Sequence, residues 1–97
     1  MKIKAFVARL RPEHIADYIE AHDNFAPELQ AKYRAAGIHQ IRLFLSGEQL
    51  FMYVEADDYE KARAALAEDP LDRRWQQEVG PMKDFDFQPL TEIFRLD

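Results

Sequence analysis

The sequence predicts an α+β fold, a four-stranded antiparallel sheet with helices on one face, in the chain order β-α-β-β-α-β. Three observations carry this prediction. Stretches that alternate like strands are separated by stretches with apolar residues at helical spacing. A Gly-containing turn, Ser46-Gly47-Glu48-Gln49, joins two of the strands into a hairpin. Both of those strands are apolar on both faces, a pattern that requires cover on each side of the sheet.

The elements follow in order. Residues 2–10 are rich in Ile, Phe, Val and Leu and read as the first strand. Pro12 and Glu13 suit the first turn of a helix, where a missing N–H costs nothing and a negative charge faces the dipole favourably. Ile15, Tyr18, Ile19 and His22 then share one helical face. Asp23-Asn24 interrupts the pattern and Pro27-Glu28 restarts it. The stripe of Leu29, Tyr33 and Ala36 ends at Gly37, a residue suited to the left-handed turn after a helix.

The hairpin strands run over 38–45 and 50–56. Leu50, Met52 and Val54 point to one face, Phe51 and Tyr53 to the other. Asp57-Asp58-Tyr59-Glu60 resembles a capping box and opens a helix to about Ala67. Asp69-Pro70 starts another, with Leu71, Arg74, Trp75 and Val79, closed by Gly80-Pro81. A loop of mixed charge and phenylalanine leads to a last strand over Leu90 to Leu96.

This order is the ferredoxin-like split βαβ arrangement. Its helices cover one sheet face, so the second apolar face calls for another subunit, and two sheets packed face to face make a dimeric α+β barrel. Size supports the homodimer. A chain of 97 residues, one domain over 1–97, buries only about 60–65% of its unfolded surface and has a marginal core.

Composition excludes several function classes. Thirteen basic against eighteen acidic residues give a net charge of −5, which argues against a nucleic-acid partner. No apolar run approaches the roughly 20 residues of a membrane span. Without cysteine there is no thiolate nucleophile, disulfide or zinc knuckle. The N-terminus lacks the apolar core of a signal peptide, so a cytoplasmic protein is expected. No metal-ligand spacing and no phosphate loop is present, and no cofactor is expected.

The acid–base candidates are the three histidines. His14 lies among charged neighbours and reads as a surface residue. His39 alternates with Ile41 and Leu43 on a strand and reads as a buried, hydrogen-bonded structural histidine. His22 stands four residues after Tyr18, at a helix C-terminus that favours the imidazolium. Such a pair can bind and protonate a polyol, yet spacing alone fits a Tyr/His pair packed under a loop better. Trp75, the lone tryptophan, can stack on the apolar face of a sugar or fill the core, the commoner fate. Glu55 and Glu92 fall on strands, as general bases or as edge charges.

The chain also resembles the L-rhamnose mutarotase family, nearly end to end. The likeness covers Lys4-Ala5-Phe6-Val7, Pro12, Tyr18, His22 and Pro27-Glu28-Leu29, then Ala36-Gly37-Ile38, Ile41 to Leu45, and Leu50-Phe51 through Val54-Glu55. It ends with Asp69-Pro70, Arg73, Trp75 and the terminal Glu92-Ile93-Phe94-Arg95-Leu96-Asp97. Tyr-x3-His followed by Pro-Glu is its most specific piece.

The resemblance implies an isomerase of the racemase/epimerase class that interconverts the α and β anomers of a deoxyhexose, of the L-rhamnose or L-fucose class, by acid/base ring opening. It implies His22 as the proton donor and Tyr18, Ile41, Arg74 and Trp75 as the sugar-binding positions, with water, Glu55 or Tyr18 as base. Two of these depart from the family pattern. Ile41 stands where the family has a tyrosine, and Arg74 where it has the first of two tryptophans, so a sugar other than rhamnose is open. A non-catalytic sugar-binding module and a cofactor-free monooxygenase or stress-type dimeric barrel are the alternatives on the same scaffold. The set Tyr18, His22 and Trp75 favours a polyol over an aromatic quinol.

Overall fold

A computed structural model describes residues 2–97. Strand β1 is Lys2–Leu10, followed by a 3-10 turn at Pro12–His14 and helix α1, Ile15–Asp23. Helix α2 is Pro27–Ala35, and the hairpin strands are β2, Ile38–Ser46, and β3, Gln49–Ala56. Helices α3, Tyr59–Leu66, and α4, Pro70–Val79, lead through a 3-10 turn at Gly80–Met82 into β4, Lys83–Pro89. The sheet order is β2-β3-β1-β4, with every neighbour antiparallel, which is the expected α+β, ferredoxin-like arrangement. Among the described residues no helix is long and apolar enough to cross a membrane.

Local chemistry sets most boundaries. The Asp58 carboxylate caps α3 by accepting from the Lys61 N–H at 3.1 Å, and that of Asp69 caps α4 through Leu71 N–H at 2.9 Å. The return arm of a capping box is not made: Glu60 pairs with Lys4 instead, 2.6 Å away. Gly37 turns the chain after α2 at φ +96°, and a Cβ there would meet the Asp57 carboxylate at 3.2 Å. Both backbone and space therefore call for glycine.

The last strand differs from the sequence expectation. It is Lys83–Pro89, and residues 90–97 form no regular structure, so Glu92 does not lie on a strand. The edge of β1 is filled by the segment that leaves the Gly80-Pro81 turn directly, from Leu10↔Lys83 to Phe6↔Pro89. Pro89 has no N–H to carry the ladder on. Only Leu90 still bonds back, to the Ala5 carbonyl at 2.8 Å.

Cross-strand partners share a face, which separates the two sides of the sheet. Phe6, Leu43 and Met52 are in register on the helix side; Val7, Phe44 and Phe51 are in register on the other. The helix side holds two buried clusters. Ile38, Met52, Val54, Ala56, Ala62 and Leu66 form one beneath α3. Ala8, Leu10, Tyr18, Leu50 and Val79 form the second beneath α1 and α4. Leu43 and Phe87 pack against both, and the cavity described next opens beside them. The opposite face carries no helix. Phe44 is 56% and Phe85 48% exposed there, so the chain leaves this side of its own sheet open.

Candidate active site

A cavity of about 650 Å³ lies between the helices and the sheet and has the size of a small-molecule site. Tyr18, His22, Ile41 and Trp75 all line it. Arg74 does not, a correction to its predicted place in the pocket. One position from Trp75 on α4, it points about 100° round the helix axis, into a second depression among Asp17, Glu20 and Glu78 that Trp75 also borders.

His22 occupies the last turn of α1, and its Nδ1 lies 2.8 Å from the Tyr18 carbonyl oxygen. A carbonyl only accepts, so Nδ1 carries the hydrogen and Nε2 is the nitrogen left for a ligand. The Tyr18 ring lies 4.4 Å from the imidazole, and Trp75 stands edge-on to it at 4.8 Å. Phe25 packs edge-on against Trp75 at 4.8 Å and against Tyr33 at 5.5 Å. A continuous aromatic wall thus runs from Tyr18 through His22, Trp75 and Phe25 to Tyr33.

Two opposed effects act on the His22 charge. The helix C-terminus and the Tyr18 carbonyl favour the imidazolium, as the sequence led us to expect. Burial disfavours it more, and the nearby Lys83 adds to that, so the His22 pKa is lowered from its ordinary value. The resting ring is neutral at pH 7. Burial, with help from Asp86, pushes the Tyr18 hydroxyl pKa well up, so that group stays protonated and can donate.

Of the other candidates, only His39 borders the cavity. His39 is exposed, not buried, because β2 is an edge strand; its Nε2 lies 2.8 Å from Asp57 Oδ1 at the cavity rim. His14 pairs with Asp17 at 3.2 Å outside the cavity. Glu55 falls opposite Ile3 and Gln40 and does not line the cavity. Glu92 binds Arg95 at 2.6 and 2.8 Å on the terminal segment. Among the described residues no cluster of three or more His, Asp or Glu side chains is placed to hold a metal ion.

Sequence reasoning assigned no site role to several groups in the cavity wall or directly behind it. Asp72 is 1% exposed, accepting from the Tyr33 hydroxyl at 2.6 Å and from Arg63 Nη2 at 2.9 Å. Tyr33 and Arg63 border the cavity, as does Lys83, whose side chain is 7% exposed and pairs with Asp86 at 3.4 Å. A signal existed for Asp72 and Arg63. Asp72 precedes Trp75 by three and Val79 by seven residues, and Arg63 lies between Tyr59 and Leu66 on an apolar stripe, both core-facing positions.

The chain is similar to known proteins along nearly its whole length. A family model described as L-rhamnose mutarotase matches residues 4–96. An L-rhamnose mutarotase of Bacillus subtilis is 33% identical, with both chains covered in full. The crystal structure of an L-rhamnose mutarotase from Formosa agariphila superposes with a TM-score of 0.84 at 20% identity, each chain covered in full. A dimeric ferredoxin-like protein from an uncultured marine organism superposes at 0.64 with 12% identity, over 96% of this chain and 97% of its own. Likeness at those last two identities speaks for the fold alone. On the family model and the full-length relative, the chain belongs to the L-rhamnose mutarotase family, whose members are isomerase-class enzymes.

Proposed function

We propose that this protein interconverts the α and β anomers of a deoxyhexose of the L-rhamnose or L-fucose class, with His22 moving the proton. The observation that carries this reading is the hydrogen bond from His22 Nδ1 to the Tyr18 carbonyl, which leaves a neutral imidazole with Nε2 as its free nitrogen in a sugar-sized cavity. A neutral Nε2 accepts a proton before it can donate one. It takes the anomeric hydroxyl proton as the C1–O1 double bond forms and the bond from C1 to the ring oxygen breaks. The imidazolium gives that proton to the ring oxygen, which was bonded to the same carbon and is therefore close by. Rotation about C1–C2 and the reverse sequence close the ring on the other face. His22 is thus both base and proton donor, the Tyr18 hydroxyl donates a hydrogen bond to the sugar, and Trp75 offers a stacking surface.

Ile41 supplies apolar surface at a position where the family pattern has a tyrosine. One hydroxyl-specific contact is absent there, and tolerance of L-fucose beside L-rhamnose follows. We further propose a homodimer. The helix-free sheet face exposes Phe44 and Phe85 beside Phe51 and Tyr53, and a second copy would cover it. The test of the activity is saturation-transfer NMR on equilibrated L-rhamnose and L-fucose. Anomer exchange faster than in buffer supports the reading, and exchange at the buffer rate with every aldose removes it.

A further inference from the structure

We infer that Tyr33 and Arg63, clamped by the buried Asp72, form a second hydroxyl-binding subsite in the His22 cavity, which grips a neutral sugar away from its anomeric carbon. The inference rests on the reading of that cavity as a monosaccharide site.

Three helices build the cluster. Tyr33 comes from α2, Arg63 from α3 and Asp72 from α4. Asp72 spends one carboxylate oxygen on each partner, 2.6 Å from the Tyr33 hydroxyl and 2.9 Å from Arg63. An ion pair that served packing alone would need neither partner at a cavity wall. Here both partners line it, and the Arg63 side chain keeps 29% exposure.

The unspent hydrogen-bonding capacity fits a hydroxyl. Arginine has five N–H donors, of which one goes to Asp72 and one reaches the Tyr33 oxygen at a long 3.5 Å. The Tyr33 hydroxyl has given its hydrogen to Asp72, so its oxygen can accept from a ligand. A sugar hydroxyl both donates and accepts, and can bond Tyr33 and Arg63 together. A carboxylate or phosphate only accepts. It would also meet cations that are already neutralised, Arg63 by Asp72 and Lys83 by Asp86, while the other lining arginine, Arg34, is open to solvent.

Position separates this subsite from the reacting end. The Phe25 ring touches Tyr33 on one side and Trp75 on the other, and Trp75 in turn meets His22. A sugar with its anomeric carbon at His22 therefore directs its ring hydroxyls past the Trp75 and Phe25 rings toward Tyr33 and Arg63.

The experiment compares the parent, Tyr33→Phe and Arg63→Lys on L-rhamnose, its monodeoxy analogues and a uronic acid, with saturation-transfer NMR giving kcat and KM. Tyr33→Phe keeps the Arg63–Asp72 pair, and Arg63→Lys keeps a cation beside Asp72, so two independent variants probe the site. We expect KM to rise roughly threefold to tenfold with kcat retained, as for one lost neutral hydrogen bond. The rise should vanish for the one analogue that lacks the hydroxyl bound there. A parent-like KM in both variants, or an equal loss on every analogue, overturns the subsite alone. Preference for the uronic acid overturns its neutral-ligand character. A parent that exchanges no aldose overturns the proposed activity and the subsite with it.

Discussion

The Nδ1 atom of His22 donates to the carbonyl of Tyr18 four residues earlier, and this bond decides which imidazole nitrogen is free for chemistry. A carbonyl oxygen that already serves the helix ladder takes the second donor as well, which holds the ring against the end of α1. The imidazole is therefore oriented by its own helix and needs no separate carboxylate partner.

His22→Ala should fold and lose about 10²–10⁴-fold in anomer exchange, the usual contribution of a positioned acid–base group. Tyr18→Phe should be milder, with its effect mainly on KM. Exchange rates from saturation-transfer NMR, beside matched circular dichroism spectra, check both. Parent-like exchange in His22→Ala would remove the residue from the mechanism.

The pH profile has a definite sign. Burial lowers the His22 pKa, so the neutral, proton-accepting ring persists below the ordinary histidine value near 6.5. kcat/KM should stay level as pH falls to about 6.5 and drop only below it. Stability moves the same way: below the unfolded pKa the unfolded chain binds the extra proton first, so this contribution is lost as pH falls toward the folded value. An acid limb centred above 6.5 would contradict the burial argument.

Asp72→Ala should destabilise the fold by about 3–5 kcal/mol, because it strands a half-buried Arg63 without its partner. Asp69→Ala, which loses the α4 cap and an exposed ion pair with Lys32, should cost only about 1–2 kcal/mol. Urea unfolding at fixed pH measures the difference. Similar losses in the two variants would show that the Asp72 cluster is not under the strain of an unpaired charge when broken.

Specificity should respond to Ile41 and not to Arg74, since only Ile41 lines the cavity. Ile41→Tyr should raise the ratio of L-rhamnose to L-fucose exchange, whereas Arg74→Trp should leave it where it is. A reversed result would place the sugar at the second depression, beside Arg74.

Sedimentation at micromolar concentration should give a dimer, and Phe44→Glu, which puts a charge on the uncovered sheet face, should shift it to monomer. A monomeric parent would sink the proposed packing of two sheets.

Short-range rules were enough to read much of this chain from its sequence. The order of strands and helices, the caps at Asp58 and Asp69, the turns at Gly37 and Gly47, and the stacking of Tyr18 on His22 all depend on residues a few positions apart. Sterics, hydrogen bonds and helical spacing act at that range, so the sequence determined them. What lay beyond it depended on which partner was available in space. Residues 90–96 have strand character, but Lys83–Pro89 reaches the edge of β1 first and takes it. His39 alternates like a core residue, yet β2 is an edge strand and leaves it exposed. Arg74 and Trp75 are adjacent in sequence, and the rotation of α4 brings only Trp75 to the His22 cavity. The Asp72 cluster draws on three helices, and the lowered His22 pKa comes from burial beneath residues distant in the chain. Only the tertiary structure decided these, because burial and edge pairing belong to the packed chain and have no local signature strong enough to fix them.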